Sequence, residues 1–130
     1  MIIGIGIDLV DIKRKKIISK KNSNFLKKIF TKNEILYCGK KKTSSNCFAK
    51  RFAAKEAFVK AIGEGFRDNI NFINIEIKNS KKGKPFIYLS KKIISKIKKK
   101  LKINNLYIYL SISDEKKYAI ANVVITNKWK

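Results

Sequence analysis

Histidine is absent from this chain. Imidazole is therefore excluded as a general base, and its absence argues against a zinc centre. The two cysteines, Cys38 and Cys47, are too few and too close in sequence to suggest a disulfide framework. No apolar run approaches the ~20 residues of a membrane span. The apolar start, Met1–Ile7, lacks a basic leader and soon meets Asp8, so it is not read as a signal peptide. A soluble, cytoplasmic protein is expected, with no membrane insertion.

Acids are also scarce, 9 against 32 lysines and arginines, for a formal net charge of +23. Only Arg14, Arg51 and Arg67 are arginines; every other basic residue is lysine. Two readings compete. An anionic partner would explain the charge, and so would the Lys, Ile and Asn bias of an AT-rich genome. Phosphate recognition usually enriches arginine, so the few arginines and acids, which persist against that drift, are the informative residues.

What is present suits one domain, residues 1–130, with no repeat and no linker. The hydrophobic fraction of 45% supplies a core. So short a chain points to a neighbouring subunit as a source of further site residues. Ile2, Ile3, Ile5, Ile7 and Leu9 predict a first strand, with Gly4 and Gly6 allowing close backbone approach and Asp8 near its end. Residues 12–30 read as a basic amphipathic helix with a break around Asn22–Asn24. Thr31 and Glu34 form a capping-box pattern for a short helix to Tyr37. A long helix is predicted from Ser44 or Ser45 to Ile62, ending at Gly63 or Gly65. Strands follow over 72–78 and 85–89, then a helix over 91–101 capped by Ser90. A final hairpin spans 106–113 and 118–126. The fold class is α+β, a mostly antiparallel sheet packed with a long central helix.

At 100° per residue, the long helix carries Phe48, Phe52, Phe58, Val59 and Ile62 on one face and Ala53, Ala54, Ala57 and Ala61 on another. A helix apolar on two faces is buried on both. Glu56 and Lys60 fall in a narrow polar stripe between them. Their spacing favours a plain i,i+4 salt bridge over a site where the carboxylate meets a metal and the ammonium a phosphate. Lys55 could snorkel or contact an anion. Asp8 or Asp11 could cap the helix that follows.

Two segments alter that balance. Gly6-Ile7-Asp8-Leu9-Val10-Asp11-Ile12-Lys13-Arg14 and Arg51-Phe52-Ala53-Ala54-Lys55-Glu56-Ala57-Phe58-Val59-Lys60-Ala61-Ile62-Gly63 resemble the two signatures of the 4′-phosphopantetheinyl transferase superfamily, in the form of its short bacterial branch. Gly65, Arg67, Gly83-Lys84-Pro85 and the final hairpin extend the resemblance over nearly the whole chain. It implies transfer of the 4′-phosphopantetheine arm of coenzyme A to a serine of apo-acyl-carrier protein, with adenosine 3′,5′-bisphosphate leaving. It implies Mg2+ held by Asp8 and Glu56, and Lys60 at the phosphates. Arg51, Lys55, Gly63, Gly65, Gly83, Lys84 and Pro85 match further cofactor contacts. The acidic carrier protein would dock on Arg14, Lys21 and Lys28. The base is expected to be a water at the metal, held by Glu56 or Asp8. The hairpin, Ser111-Ile112-Ser113-Asp114-Glu115, departs from members that have a histidine near the 3′-phosphate. The resemblance also implies a homotrimer with the cofactor between subunits. A basic nucleic-acid-binding domain would explain the charge, but not Glu56 on a buried helix, and no nucleic-acid motif is present.

Overall fold

The computed structural model describes residues 1–13, 23–63 and 70–129. The elements are β1 (Ile2–Asp11), α1 (Ser23–Ile29), α2 (Lys32–Gly39), α3 (Ser44–Ile62), a 3-10 turn (Phe72–Asn74), β2 (Glu76–Asn79), β3 (Pro85–Tyr88), α4 (Lys91–Leu101), β4 (Tyr107–Asp114) and β5 (Tyr118–Thr126). Two antiparallel sheets form, one ordered β1-β5-β4 and the other β2-β3.

The main core lies between the three-stranded sheet and α3. Alternation along β5 sends Ala119, Ala121, Val123 and Ile125 inward, all fully buried. The alanine face of α3 meets them, with Ala53, Ala54 and Ala57 also fully buried. On β1, Gly4 and Gly6 face the same helix. A Cβ on Gly4 would overlap the Ala61 carbonyl oxygen, and one on Gly6 would overlap that of Ala57. Strand and helix therefore touch backbone to backbone.

A second core joins Leu26, Ile29 and Phe30 to Cys38, Cys47 and Phe48. The Phe30 and Phe48 rings are tilted at a centroid distance of 5.0 Å. The Thr31–Glu34 capping box is present as expected. Ser90 caps α4 by accepting the Ile93 N–H. The Asp11 carboxylate accepts the Lys13 N–H through Oδ1 at 3.0 Å.

The structure corrects three expectations. The first strand continues through Asp11, so Asp8 sits inside it and not at its end. Residues 72–74 form a 3-10 turn, not the start of a strand. Asn71 and Asn74 exchange backbone-to-side-chain hydrogen bonds across that turn, which takes it out of any ladder. Finally, Cys38 and Cys47 form a disulfide joining the end of α2 to the start of α3. Closing so short a loop stabilises by about 2–3 kcal/mol in the chain-entropy account. Of the basic helix expected over 12–30, residues 14–22 lie outside the described residues. No helix among the described residues is long and apolar enough to cross a membrane.

Candidate active site

Asp8 reaches the site because its strand is pulled against α3. Gly4, Gly6 and Asp8 alternate onto the helix-facing side of β1, and the two glycines bring that side into contact with the turns of Ala57 and Ala61. Lys60 of α3 then donates to Asp8 Oδ1 at 3.0 Å and to the Ile7 carbonyl at 3.0 Å. Its expected i,i+4 partner, Glu56, is not the acid it meets. An ammonium has three N–H donors, so one is left for another acceptor, and the Lys60 side chain is 47% exposed.

Glu56 is half-buried and has no hydrogen-bond or ion-pair partner among the described residues. It lines two pockets. One, of about 580 Å³, is walled by Asp8, Asp11, Phe52 and Tyr118. The other, of about 790 Å³, is walled by Lys27, Lys28, Val59, Ile70, Phe72 and Ile73. Glu56 thus stands between an acidic pocket and an apolar one with two lysines at its rim.

Among the described residues no three histidine, cysteine or acidic side chains gather to hold a metal ion. Two carboxylates in one pocket, among the described residues one without a partner and one paired with Lys60 alone, still fit a magnesium ion that takes its remaining oxygens from a diphosphate and water.

A separate pocket of about 340 Å³ collects Arg51, Lys41, Lys50, Gly83 and Pro85 with Tyr37 and Asp114. It shares no lining residue with the Asp8 pocket. The Arg51 guanidinium lies 4.3 Å from the Tyr37 ring centroid and donates to Asn79 Oδ1 at 2.7 Å, while its buried Nε has no partner among the described residues. Burial lowers its pKa, and Glu34, Tyr37 and Glu76 work in the opposite direction. Lys84 is exposed on the β2–β3 turn, where its backbone N–H donates to Ser80 Oγ. Gly63 closes α3 in a left-handed conformation, φ 99°. Asp114, within the hairpin segment 111–115, accepts from Asn46 Nδ2 at 2.9 Å and lies 3.7 Å from Lys50 Nζ. Arg14, Lys21 and Gly65 lie outside the described residues.

Lys55 is placed in none of these pockets. It is fully buried, and its ammonium donates to the Ile29 carbonyl (2.6 Å), Glu34 Oε1 (2.6 Å) and the Phe72 carbonyl (3.0 Å). Burial lowers its pKa against the pull of Glu34. All three donors are engaged, so the structure does not offer it to a cofactor. Glu34 is the partner that sequence reasoning missed. The available signal was its isolation as the only acid between Asp11 and Glu56.

A model of the 4′-phosphopantetheinyl transferase superfamily matches residues 4–123. The chain belongs to that superfamily. The holo-[acyl-carrier-protein] synthase of Pelagibacter ubique is 48% identical over 128 residues, covering 98% of each chain. Among solved structures, the Neisseria meningitidis holo-[acyl-carrier-protein] synthase superposes with a TM-score of 0.82 at 39% identity, over 97% of this chain and 99% of that one. The Helicobacter pylori synthase in complex with coenzyme A gives 0.77 at 35% identity, over 94% and 99%. Both signature segments of this superfamily member thus fall inside the matched range, and they carry Asp8, Glu56 and Lys60.

Proposed function

We propose that this chain transfers 4′-phosphopantetheine from coenzyme A to a serine hydroxyl of apo-acyl-carrier protein, releasing adenosine 3′,5′-bisphosphate, with Asp8 and Glu56 as ligands of a magnesium ion. The supporting observation is a Glu56 with no partner among the described residues sharing a pocket with Asp8, which Lys60 pairs, in a chain of this superfamily. The serine oxygen attacks the β-phosphorus, a P–O bond to the nucleotide breaks, and negative charge moves to the bridging and equatorial oxygens. Magnesium, when bound, supplies charge neutralisation at the diphosphate. Lys60 sits beside Asp8 with one donor to offer a phosphate oxygen. Arg51 suits the nucleotide's phosphates, Gly83 and Pro85 of the same pocket suit its adenine with Lys84 exposed on their turn, and Gly63 ends α3. The assay is mass spectrometry of apo-carrier protein incubated with the chain, coenzyme A and magnesium. The phosphopantetheine increment is expected, and its absence with folded protein and a cognate carrier would sink this reading.

Lys28, exposed at the mouth of the Glu56 pocket, is assigned to carrier docking together with Arg14 and Lys21. Reversing a rim charge of this kind is worth about 1 kcal/mol. Lys28→Glu is therefore expected to raise the KM for carrier protein roughly fivefold and leave the KM for coenzyme A unchanged. Steady-state kinetics at low and high salt checks this; equal shifts in both constants would remove the assignment.

The Arg51 pocket and the Asp8 pocket are separate within one chain, which supports a cofactor bridging two subunits. The sheet face turned away from α3 supports the same reading. Ile5, Ile7 and Leu9 of β1 are each more than half exposed, and Tyr118, Ile120 and Tyr109 continue the apolar surface across β5 and β4. We assign this face to a homotrimer. Ile5→Lys combined with Leu9→Lys is expected to give folded monomers by light scattering and to abolish turnover. A variant that keeps both its assembly and its activity would overturn the assignment.

A further inference from the structure

The Lys55 ammonium joins three segments to α3. Its acceptors are the carbonyl at the end of α1 (Ile29), the carbonyl that opens the 3-10 turn (Phe72) and the Glu34 carboxylate at the start of α2. Glu34 extends the junction. Its Oε1 also accepts the Thr31 N–H at 2.9 Å, and its Oε2 accepts the Ile77 N–H of β2 at 3.0 Å. The Lys55 ammonium lies 5.2 Å from the Phe30 ring centroid, which leaves little room for water. Both side chains are wholly inaccessible to solvent.

The joined elements are the walls of the larger pocket beside Glu56. Lys27 and Lys28 come from α1, Asn71, Phe72 and Ile73 from the 3-10 turn and the residue before it, and Glu56 and Val59 from α3. Chain connectivity does not set the distance between the first two walls, because they are far apart in sequence and neither pairs in a sheet. Apolar packing of Phe72 on the Leu26–Phe30 cluster brings them together, and the ammonium adds the directional constraint, binding one carbonyl of each while being carried by the residue next to Glu56.

We propose that Lys55, paired with Glu34, is a positioning residue that fixes the carrier-docking wall of the Glu56 pocket, and that it acts on carrier recognition without touching substrate. This rests on the transferase reading above. A buried ion pair is weak as a source of stability but strong as a constraint on geometry. Here its directional acceptors are main-chain carbonyls of two segments that otherwise meet only through apolar packing, Phe72 against the Leu26–Phe30 cluster. The apolar wall formed by Ile70, Phe72 and Ile73 would lose its register with Lys28 if those bonds were lost.

Removing Lys55 alone leaves Glu34 charged and unpaired in the core, and such a variant can simply unfold. The test therefore uses Lys55→Met with Glu34→Gln. The pair is neutralised, while glutamine preserves the capping box with Thr31. Wild-type transfer is measured first, and its absence would count against the transferase reading and not against the positioning role. With transfer established, the double variant is expected to fold and to raise the KM for carrier protein about tenfold. The KM for coenzyme A and kcat should stay within about twofold. Backbone amide exchange gives a readout independent of the reaction. Exchange at Phe30 and Ile75, whose N–H groups close α1 and the 3-10 turn, should quicken about tenfold, with the β1–β5 ladder unchanged. A folded double variant with wild-type KM for both substrates and wild-type exchange would overturn the proposal. So would a fall in kcat with the carrier KM unchanged.

Discussion

Glu56→Gln is expected to lower the rate of transfer by at least about a hundredfold while leaving the melting temperature within a degree or two. The two halves of that expectation come from the same observation. Glu56 is half-buried with no partner among the described residues, so its charge contributes little to folding. Glutamine keeps the shape and removes the charge that a magnesium ion needs from its ligand. Losing one preorganised electrostatic contact at a reacting centre costs about two to three orders of magnitude in rate. Asp8→Asn should behave similarly, with one difference. It also releases Lys60 from its ion pair, at a stability cost of no more than about 1 kcal/mol because Lys60 is half-exposed. Mass-spectrometric turnover paired with circular dichroism checks both variants. Near-normal turnover in both would remove the metal assignment, whereas lost turnover with lost structure would show that the carboxylates are structural.

The two elements that carry the candidate site were legible in the sequence because both have strong local signals. The glycine-rich strand and the alanine-faced helix were both readable, and Asp8, Glu56 and Lys60 stood out as scarce or interrupting residues. What could not be read was pairing between elements. Helical spacing offered Lys60 only Glu56, but close approach of β1 supplied Asp8 at 3.0 Å instead. Lys55 looked like a candidate for an anion because its own helix has no acid three or four residues away from it. Its partner lies 21 residues earlier in the chain, and only folding brings them together. The same ammonium accounts for part of the misread strand. It binds the Phe72 carbonyl, while Asn71 and Asn74 close the turn, so a period-two pattern over 72–74 was overridden by capping and by a buried cation. The disulfide escaped for a comparable reason. A nine-residue separation gives no hint that the end of α2 and the start of α3 bring the two Cα atoms to 5.4 Å.

Gly6→Ala carries the largest expected effect on the scaffold, and through it on the site. A methyl group at Gly6 would overlap the Ala57 carbonyl oxygen and lie 2.8 Å from the Ala61 nitrogen. Both are main-chain atoms of α3, so no side chain can swing away to make room. The helix cannot retreat easily, because Ala53, Ala57 and Phe58 are packed with no exposed surface. The strand cannot retreat either without stretching its ladder to β5, where Gly6 is opposite Val123 and Asp8 opposite Ala121. Overpacking of this kind costs about 3 kcal/mol, and a drop in melting temperature of roughly 10 °C is expected. Gly39→Ala is the control. No atom lies within 4 Å of the added carbon there, and the helical position tolerates alanine, so stability should be unchanged or slightly higher. Because Asp8 is two residues beyond Gly6 on the same face of β1, any displacement that relieves the clash moves the carboxylate away from Glu56 and Lys60. Turnover by the folded fraction of Gly6→Ala should therefore fall by an order of magnitude or more even below its melting temperature. A Gly6→Ala protein with wild-type stability and turnover would show that β1 and α3 are not in backbone contact, and the route by which Asp8 reaches the site would have to be redrawn.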